Sequence, residues 1–75
     1  METKAEKIAK AYDKLKENLS LREKEVITRY YGIDQHVRHT LAEIGEMYQV
    51  TRERIRQIKA EALRKLKVKN ETKKV

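Results

Sequence analysis

Residues 40–67 read TLAEIGEMYQVTRERIRQIKAEALRKLK, and the way this stretch breaks decides the fold. Thr40 followed by Glu43 has the spacing of a capping box: the hydroxyl accepts from the amide of residue 43, and the Glu side chain accepts from the amide of residue 40. A short helix, LAEIGEMY, starts there, with Leu41, Ile44 and Tyr48 as its buried stripe. Gly45 lies inside it, where glycine costs about 1 kcal/mol relative to alanine; close approach of a neighbouring helix is the expected compensation. Gln49 and Val50 make a tight turn, and Thr51 caps the next helix. At about 100° per residue, Ile55, Ile58, Ala62 and Leu66 of that helix cluster within about 80°, with Leu63 beside them. Opposite point Glu53, Gln57, Ala60 and Arg64, with Arg56 and Lys67 on one flank. A short capped helix, a tight turn and a longer basic helix form the helix-turn-helix pattern.

Upstream, the periodicity predicts two more helices. Ile8, Tyr12, Leu15 and Leu19 are spaced 4, 3 and 4, which predicts an amphipathic helix from about Thr3 to Asn18. Ser20 and Glu23 form another capping box and open a second helix, whose apolar contacts are Leu21, Val26, Ile27, Tyr30 and Tyr31. Gly32 ends it as a left-handed stop, and a loop of about seven residues, Ile33 to His39, follows. The expected fold is therefore all-α: a four-helix domain with a C-terminal helix-turn-helix, without strands or a wing. Residues 1–18 are a supporting helix, 19–69 the main unit with the helix-turn-helix at about 40–67, and 70–75 a frayed polar tail, all in one compact domain.

The chain has 75 residues, no proline, no cysteine and a net charge of +7. A core this small supplies roughly 3–5 kcal/mol unless something staples it, and without cysteine neither disulfides nor thiolate metal sites are available. Neither a bilayer-spanning run nor a signal-peptide core is present, so the expected setting is the cytoplasm, with no membrane partner. The charge is unevenly placed. Residues 51–75 carry ten basic and three acidic groups, whereas residues 1–50 carry nine of each. A solvated helix face usually mixes its charges; a segment this one-sided points to a polyanion.

The residue types at the start of the basic helix fit base edges. Guanine offers two acceptors to a forked Arg, cytosine offers a donor to Glu, and adenine's paired groups suit Gln. Arg52, Glu53 and Gln57 make such a reading set, with Arg56 beside them, and Thr51 and the helix amides are placed for phosphate. Glu53 also has the spacing for a simple helix-surface contact with Arg56 or Gln57, and Arg54 is as suited to packing or a salt bridge as to DNA. Arg64, Lys65 and Lys67 lie further along and suit phosphate or a protein partner. Asp34, His36 and His39 share a loop but fall short of a metal site. No catalytic constellation stands out, and no enzyme activity, cofactor or small-molecule substrate is expected.

The stretches LSLREKEVITRYYGI and TLAEIGEMYQVTRERIRQIKAEALRKLK resemble the promoter-recognition region, region 4, of primary bacterial sigma factors. The resemblance runs from Leu19 to Lys67; VTRERIRQI followed by ALRKL carries most of it, and the first 18 residues match less clearly. It implies recognition of the −35 promoter element in double-stranded DNA while attached to core RNA polymerase. By the resemblance, Arg52, Glu53 and Gln57 read base edges, while Arg22, Thr40, Leu41, Thr51, Arg54 and Arg56 hold the backbone or neighbouring groups. The apolar surface of the first two helices would dock the flap of the polymerase β subunit. The basic stretch Arg64, Lys65 and Lys67 would meet transcription activators, and anti-sigma factors use overlapping surfaces. Tyr30 stands where a DNA-contacting Arg is common in the family, Glu46 and Glu61 where many members carry Lys, and Lys59 where many carry Glu. The chain holds none of the sigma segments that bind the −10 element, so it reads as an excised domain or a stand-alone protein.

Two other readings compete. LSLREKEV also resembles the DNA-binding domain of LuxR-type regulators, which lack RERIRQI and usually dimerise. A protein-interaction module for anti-sigma or activator proteins is the third.

Overall fold

The computed structural model describes residues 3–34 and 37–68, and the structural statements below concern those residues. Four helices follow one another: α1 (Lys4–Leu15), α2 (Leu21–Tyr31), α3 (Leu41–Tyr48) and α4 (Arg52–Lys65), with a 3₁₀ turn over Lys16–Asn18. The predicted all-α, four-helix architecture is what forms, and the described residues contain no strand. No helix among them is long and apolar enough to cross a membrane.

The helix starts share one device. Ser20 and Thr40 close the two expected capping boxes, with the Glu23 amide 3.2 Å from Ser20 Oγ and the Glu43 amide 3.1 Å from Thr40 Oγ1. Thr3 and Glu6 close a third at the start of α1, where the amide of Glu6 lies 3.1 Å from Thr3 Oγ1. Thr51 caps α4 by accepting from the Arg54 amide at 3.0 Å. Each cap satisfies donors that the first helical turn leaves unpaired.

The ends of α2, α3 and α4 share another. Gly32, Gln49 and Lys67 take left-handed backbone angles, with φ of 69°, 59° and 61°. The residue after each is apolar, and its amide returns to the carbonyl five positions back: Ile33 to Thr28, Val50 to Gly45 and Val68 to Leu63. The side chains of Ile33, Val50 and Val68 then pack on the core, the apolar contact that accompanies such stops.

The core lies in two clusters. Ile8, Tyr12, Leu19, Ile27, Ala62, Leu63 and Leu66 join α1 and α2 to the C-terminal half of α4. Val26, Ile44, Ile55 and Ile58 join α2 and α3 to its N-terminal half. All five residues assigned to the inner stripe of α4 are buried.

Four expectations need correcting. α1 ends at Leu15, and the chain tightens into the 3₁₀ turn before Leu19, whose extended backbone carries its side chain into the core. α4 ends at Lys65, since Lys67 takes the left-handed stop. Leu21 is 70% exposed: it lies about 180° around α2 from Tyr30 and so faces away from both clusters. Gly45 does face a close neighbour, but that neighbour is the turn rather than another helix's side. A Cβ at position 45 would sit 2.7 Å from the carbonyl oxygen of Val50 and 3.4 Å from the amide nitrogen of Arg52. The missing side chain therefore lets the turn fold back on α3 and fixes where α4 begins.

Candidate nucleic-acid interface

Because the turn lies against Gly45, α4 leaves with its inner stripe on α2 and α3 and its first two turns outward. Arg52, Glu53, Arg54, Arg56 and Gln57 are all exposed. The sequence-predicted reading set, Arg52, Glu53 and Gln57, is thus brought together on one solvent-facing stretch, as expected from the wheel.

The set is internally bonded. Arg56 grips Glu53 with two parallel hydrogen bonds, Nε to Oε1 at 2.9 Å and Nη2 to Oε2 at 2.6 Å, and Gln57 Nε2 reaches Oε2 at 3.5 Å. The bonds from Arg56 hold the Glu53 carboxyl below the ordinary carboxylate range, and the same contact pushes the Arg56 guanidinium up. Both groups stay charged at neutral pH. The helix-surface contact foreseen for Glu53 therefore exists alongside its outward placement, and it keeps the carboxylate oriented.

Around the start of α3, Tyr30, Arg38, Thr40, Leu41 and Arg52 border a shallow depression. Thr40 spends its hydroxyl on the α3 cap. His39 sits at its edge, its Nδ1 buried without a hydrogen-bond partner. Arg22 lies over the ring of Tyr48 at 4.4 Å, and Tyr48 Oη accepts from Arg29 Nε at 3.0 Å. Burial pushes the Tyr48 phenol up, with Glu25 adding to the rise. This stack ties α2 to α3 and presents Arg22 beside the helix-turn-helix. Tyr30 and Lys59, two positions that depart from the family pattern, meet each other: the Lys59 ammonium lies 4.6 Å from the Tyr30 ring centre.

The three C-terminal cations, grouped together in the sequence reading, are separated in the structure. Lys65 turns inward, its Nζ 3.0 and 3.1 Å from the two carboxylate oxygens of Glu23. Arg64 bonds Glu61 on the exposed side of α4, and Lys67 is exposed at the left-handed stop. Glu23 is a residue that sequence reasoning assigned only to the cap. Burial works to raise its pKa, but the Ser20 amide and the Lys65 ammonium outweigh it and hold the carboxyl below its ordinary value. A signal was present: on the α2 wheel Glu23 falls between Tyr30 and Ile27, in the middle of the buried stripe, where a carboxylate needs a partner.

Among the described residues no cluster of His, Asp and Glu is placed to hold a metal ion. His36, one of the three loop residues weighed for metal, lies outside the described residues, as does the tail at 70–75.

Comparison with known proteins places residues 17–68 on the family model "Sigma-70, region 4". The chain is 52% identical over 58 residues to RNA polymerase sigma factor SigA of Nostoc sp., covering 77% of this chain and 15% of that protein. It is 55% identical over 51 residues to RNA polymerase sigma factor RpoD of Neisseria gonorrhoeae, covering 68% of this chain and 8% of that protein. With RNA polymerase sigma factor SigA1 of Synechococcus elongatus the identity is 56% over 52 residues, covering 69% and 13%. The matched part is thus a small fraction of each relative's length. The whole of α1, Lys4–Leu15, lies outside the family model.

Proposed function

Since the chain belongs to the sigma-70 region 4 family, we propose that it reads the −35 promoter element through the N-terminal half of α4 and acts within an RNA polymerase sigma factor. The observation that carries this is the exposed Arg52–Glu53–Gln57 set, held on one outward stretch of a helix whose opposite face is fully committed to the core. In this reading Arg52 forks to a guanine, Glu53 accepts from a cytosine amino group, and Gln57 pairs with adenine or the neighbouring base. Glu53 can accept that donor while bonded to Arg56, because a carboxylate has about four lone-pair sites. Arg56 then lies between Glu53 and the backbone.

Arg22, Thr40, Leu41, Thr51, Arg54 and Arg56 border the reading set and supply the backbone contacts. For Thr40 and Thr51 these run through the helix starts they cap, since amides at a helix N-terminus favour phosphate. The partner in the polymerase is the β-subunit flap, docked on the apolar surface of the first two helices. On the α1 side, Ala11 and Leu15 border shallow depressions that Leu66 and Val68 help to line. Arg64 and Lys67 face outward and suit activators or phosphate. Lys65 acts mainly through the fold, and anti-sigma factors would compete for the flap-facing side.

The test is titration of the 75-residue chain with a TTGACA-type duplex and a scrambled duplex at low salt. A clear preference for the first is expected; equal binding sinks the readout. Arg52→Ala should cost ~1–3 kcal/mol on the cognate duplex and relax preference at one base pair. A loss that is uniform across sequences would instead make Arg52 a phosphate contact. Retention of the chain on the isolated flap tests the polymerase arm separately.

A further inference from the structure

Tyr48 is the last residue of α3, one position before the left-handed Gln49 of the turn that leads into α4. Its side chain is held twice. The ring packs against the Val26–Ile44–Ile55–Ile58 cluster, and the hydroxyl accepts from Arg29 Nε on α2 at 3.0 Å. Over this fixed ring lies the guanidinium of the exposed Arg22, 4.4 Å from the ring centre. Among the described residues Arg22 makes no hydrogen bond or salt bridge. It also borders a shallow depression together with Arg54 and Gln57 of α4, which places it beside the reading stretch. The carboxylates on the same border are engaged elsewhere, Glu23 with Ser20 and Lys65, and Glu61 with Arg64.

Such a platform has a particular effect on an arginine. A ring face attracts the guanidinium through its quadrupole and restrains a long flexible side chain. The phenol is uncharged at neutral pH, because burial, with Glu25 adding to it, pushes its pKa up. A carboxylate clamp would instead take up the fork's donors and offset its charge, as Glu53 does for Arg56. The ring thus orders Arg22 in advance while leaving it donors for an anion, and a side chain ordered in advance loses less entropy on binding. Because Tyr48 stands at the turn from which α4 starts, that one turn sets the spacing between Arg22 and the reading stretch.

We propose that Tyr48 is a positioning residue for DNA binding, whose ring holds Arg22 of α2 in place for a backbone phosphate beside Arg52, Glu53 and Gln57. This rests on the reading of α4 as the helix that enters the groove and of Arg22 as a backbone contact. A ring that only packs α3 on α2 would affect stability, and its loss would weaken binding equally with or without Arg22.

The experiment measures affinity of the 75-residue chain for cognate and scrambled duplexes across salt. Arg22→Gln should lower the magnitude of the log–log salt slope by about 0.9 on both duplexes, with base preference kept. Tyr48→Met, which fills the space without a ring, should weaken binding roughly 2- to 10-fold, the cost of ordering one long side chain on association. In the Arg22→Gln background the same change should have no further effect. Tyr48→Phe keeps the ring and should bind like the wild type. Pentafluorophenylalanine at position 48 keeps the ring's shape but reverses its quadrupole, and should match Tyr48→Met; it carries the test if Tyr48→Met does not fold. Equal losses in the two backgrounds make Tyr48 merely structural and overturn the proposal. A wild-type salt slope in Arg22→Gln removes the phosphate contact and the positioning role with it, while the wild type's base preference is untouched. If the wild type binds neither duplex, or both equally, the groove reading itself fails and this proposal with it.

Discussion

The two halves of α4 carry the same kinds of residue and do different work. In the first two turns the polar groups bond one another: Arg56 and Gln57 to Glu53, all on the outside. In the last two turns Ala62, Leu63 and Leu66 close the core, and Lys65 crosses to α2 to meet Glu23. Side-chain exposure separates the acidic partners: 60% for Glu53 and 11% for Glu23. An exposed pair contributes little to stability but fixes geometry, whereas a carboxylate taken out of water depends on its partner. A cluster of cations in a sequence is therefore not one functional unit; the burial of each partner decides what each cation does.

The contrast can be broken most severely from the C-terminal half. Leu63→Ala should cost about 2–5 kcal/mol. That is comparable with the roughly 3–5 kcal/mol such a core provides, so far-UV circular dichroism should show a largely unfolded chain without denaturant. Lys65→Met comes next. It leaves Glu23 with only its cap and should cost about 1–3 kcal/mol near neutral pH, read as a lower urea midpoint.

The acid dependence of that variant sharpens the comparison. Glu23 titrates below its ordinary value in the folded chain, so the unfolded chain binds its proton first as pH falls. The stability from this group is present above the ordinary glutamate value of about 4.3 and disappears as pH drops through the lowered folded value. Wild type and Lys65→Met should accordingly converge in urea midpoint between pH about 7 and about 3. A constant gap would mean that Lys65 acts through packing of its stem rather than through its charge. The smallest stability effect is expected in the N-terminal half. Arg56→Ala should leave the urea midpoint nearly unchanged while the Glu23 and Glu53 carboxyls part company: by NMR titration Glu53 moves up toward the ordinary range and Glu23 stays.

Much of this was legible in the sequence because caps and stripes are local. Ser20–Glu23, Thr40–Glu43 and Thr51 marked three helix starts, and the α4 wheel sorted buried from outward residues correctly. Thr3–Glu6 carries the same signature and marks the first start equally well. Leu21 was misplaced because apolar character alone says nothing of direction, although its wheel position does. The break after Leu15 was not legible: no glycine or proline marks it, and it follows from where Leu19 must go. Gly32 announced its left-handed stop, whereas Lys67 did not, since only the return of the Val68 amide to Leu63 reveals it. Within the candidate site, residue types gave the outward set. The Glu23–Lys65 and Tyr30–Lys59 contacts join residues 42 and 29 positions apart and depend on how α2 meets α4.

The left-handed stops at Gln49 and Lys67 bear on how this domain tolerates change. A side chain in that conformation costs about 1–2 kcal/mol relative to glycine, part of which a glycine gives back through a more flexible unfolded chain. The domain therefore holds unused stability at two surface positions, both outside the reading stretch. Gln49→Gly or Lys67→Gly would give it a margin for absorbing a costly substitution elsewhere. Because the reading residues are themselves exposed, altering them draws little on that margin, and preference for a DNA sequence is free to drift while the scaffold stays the same.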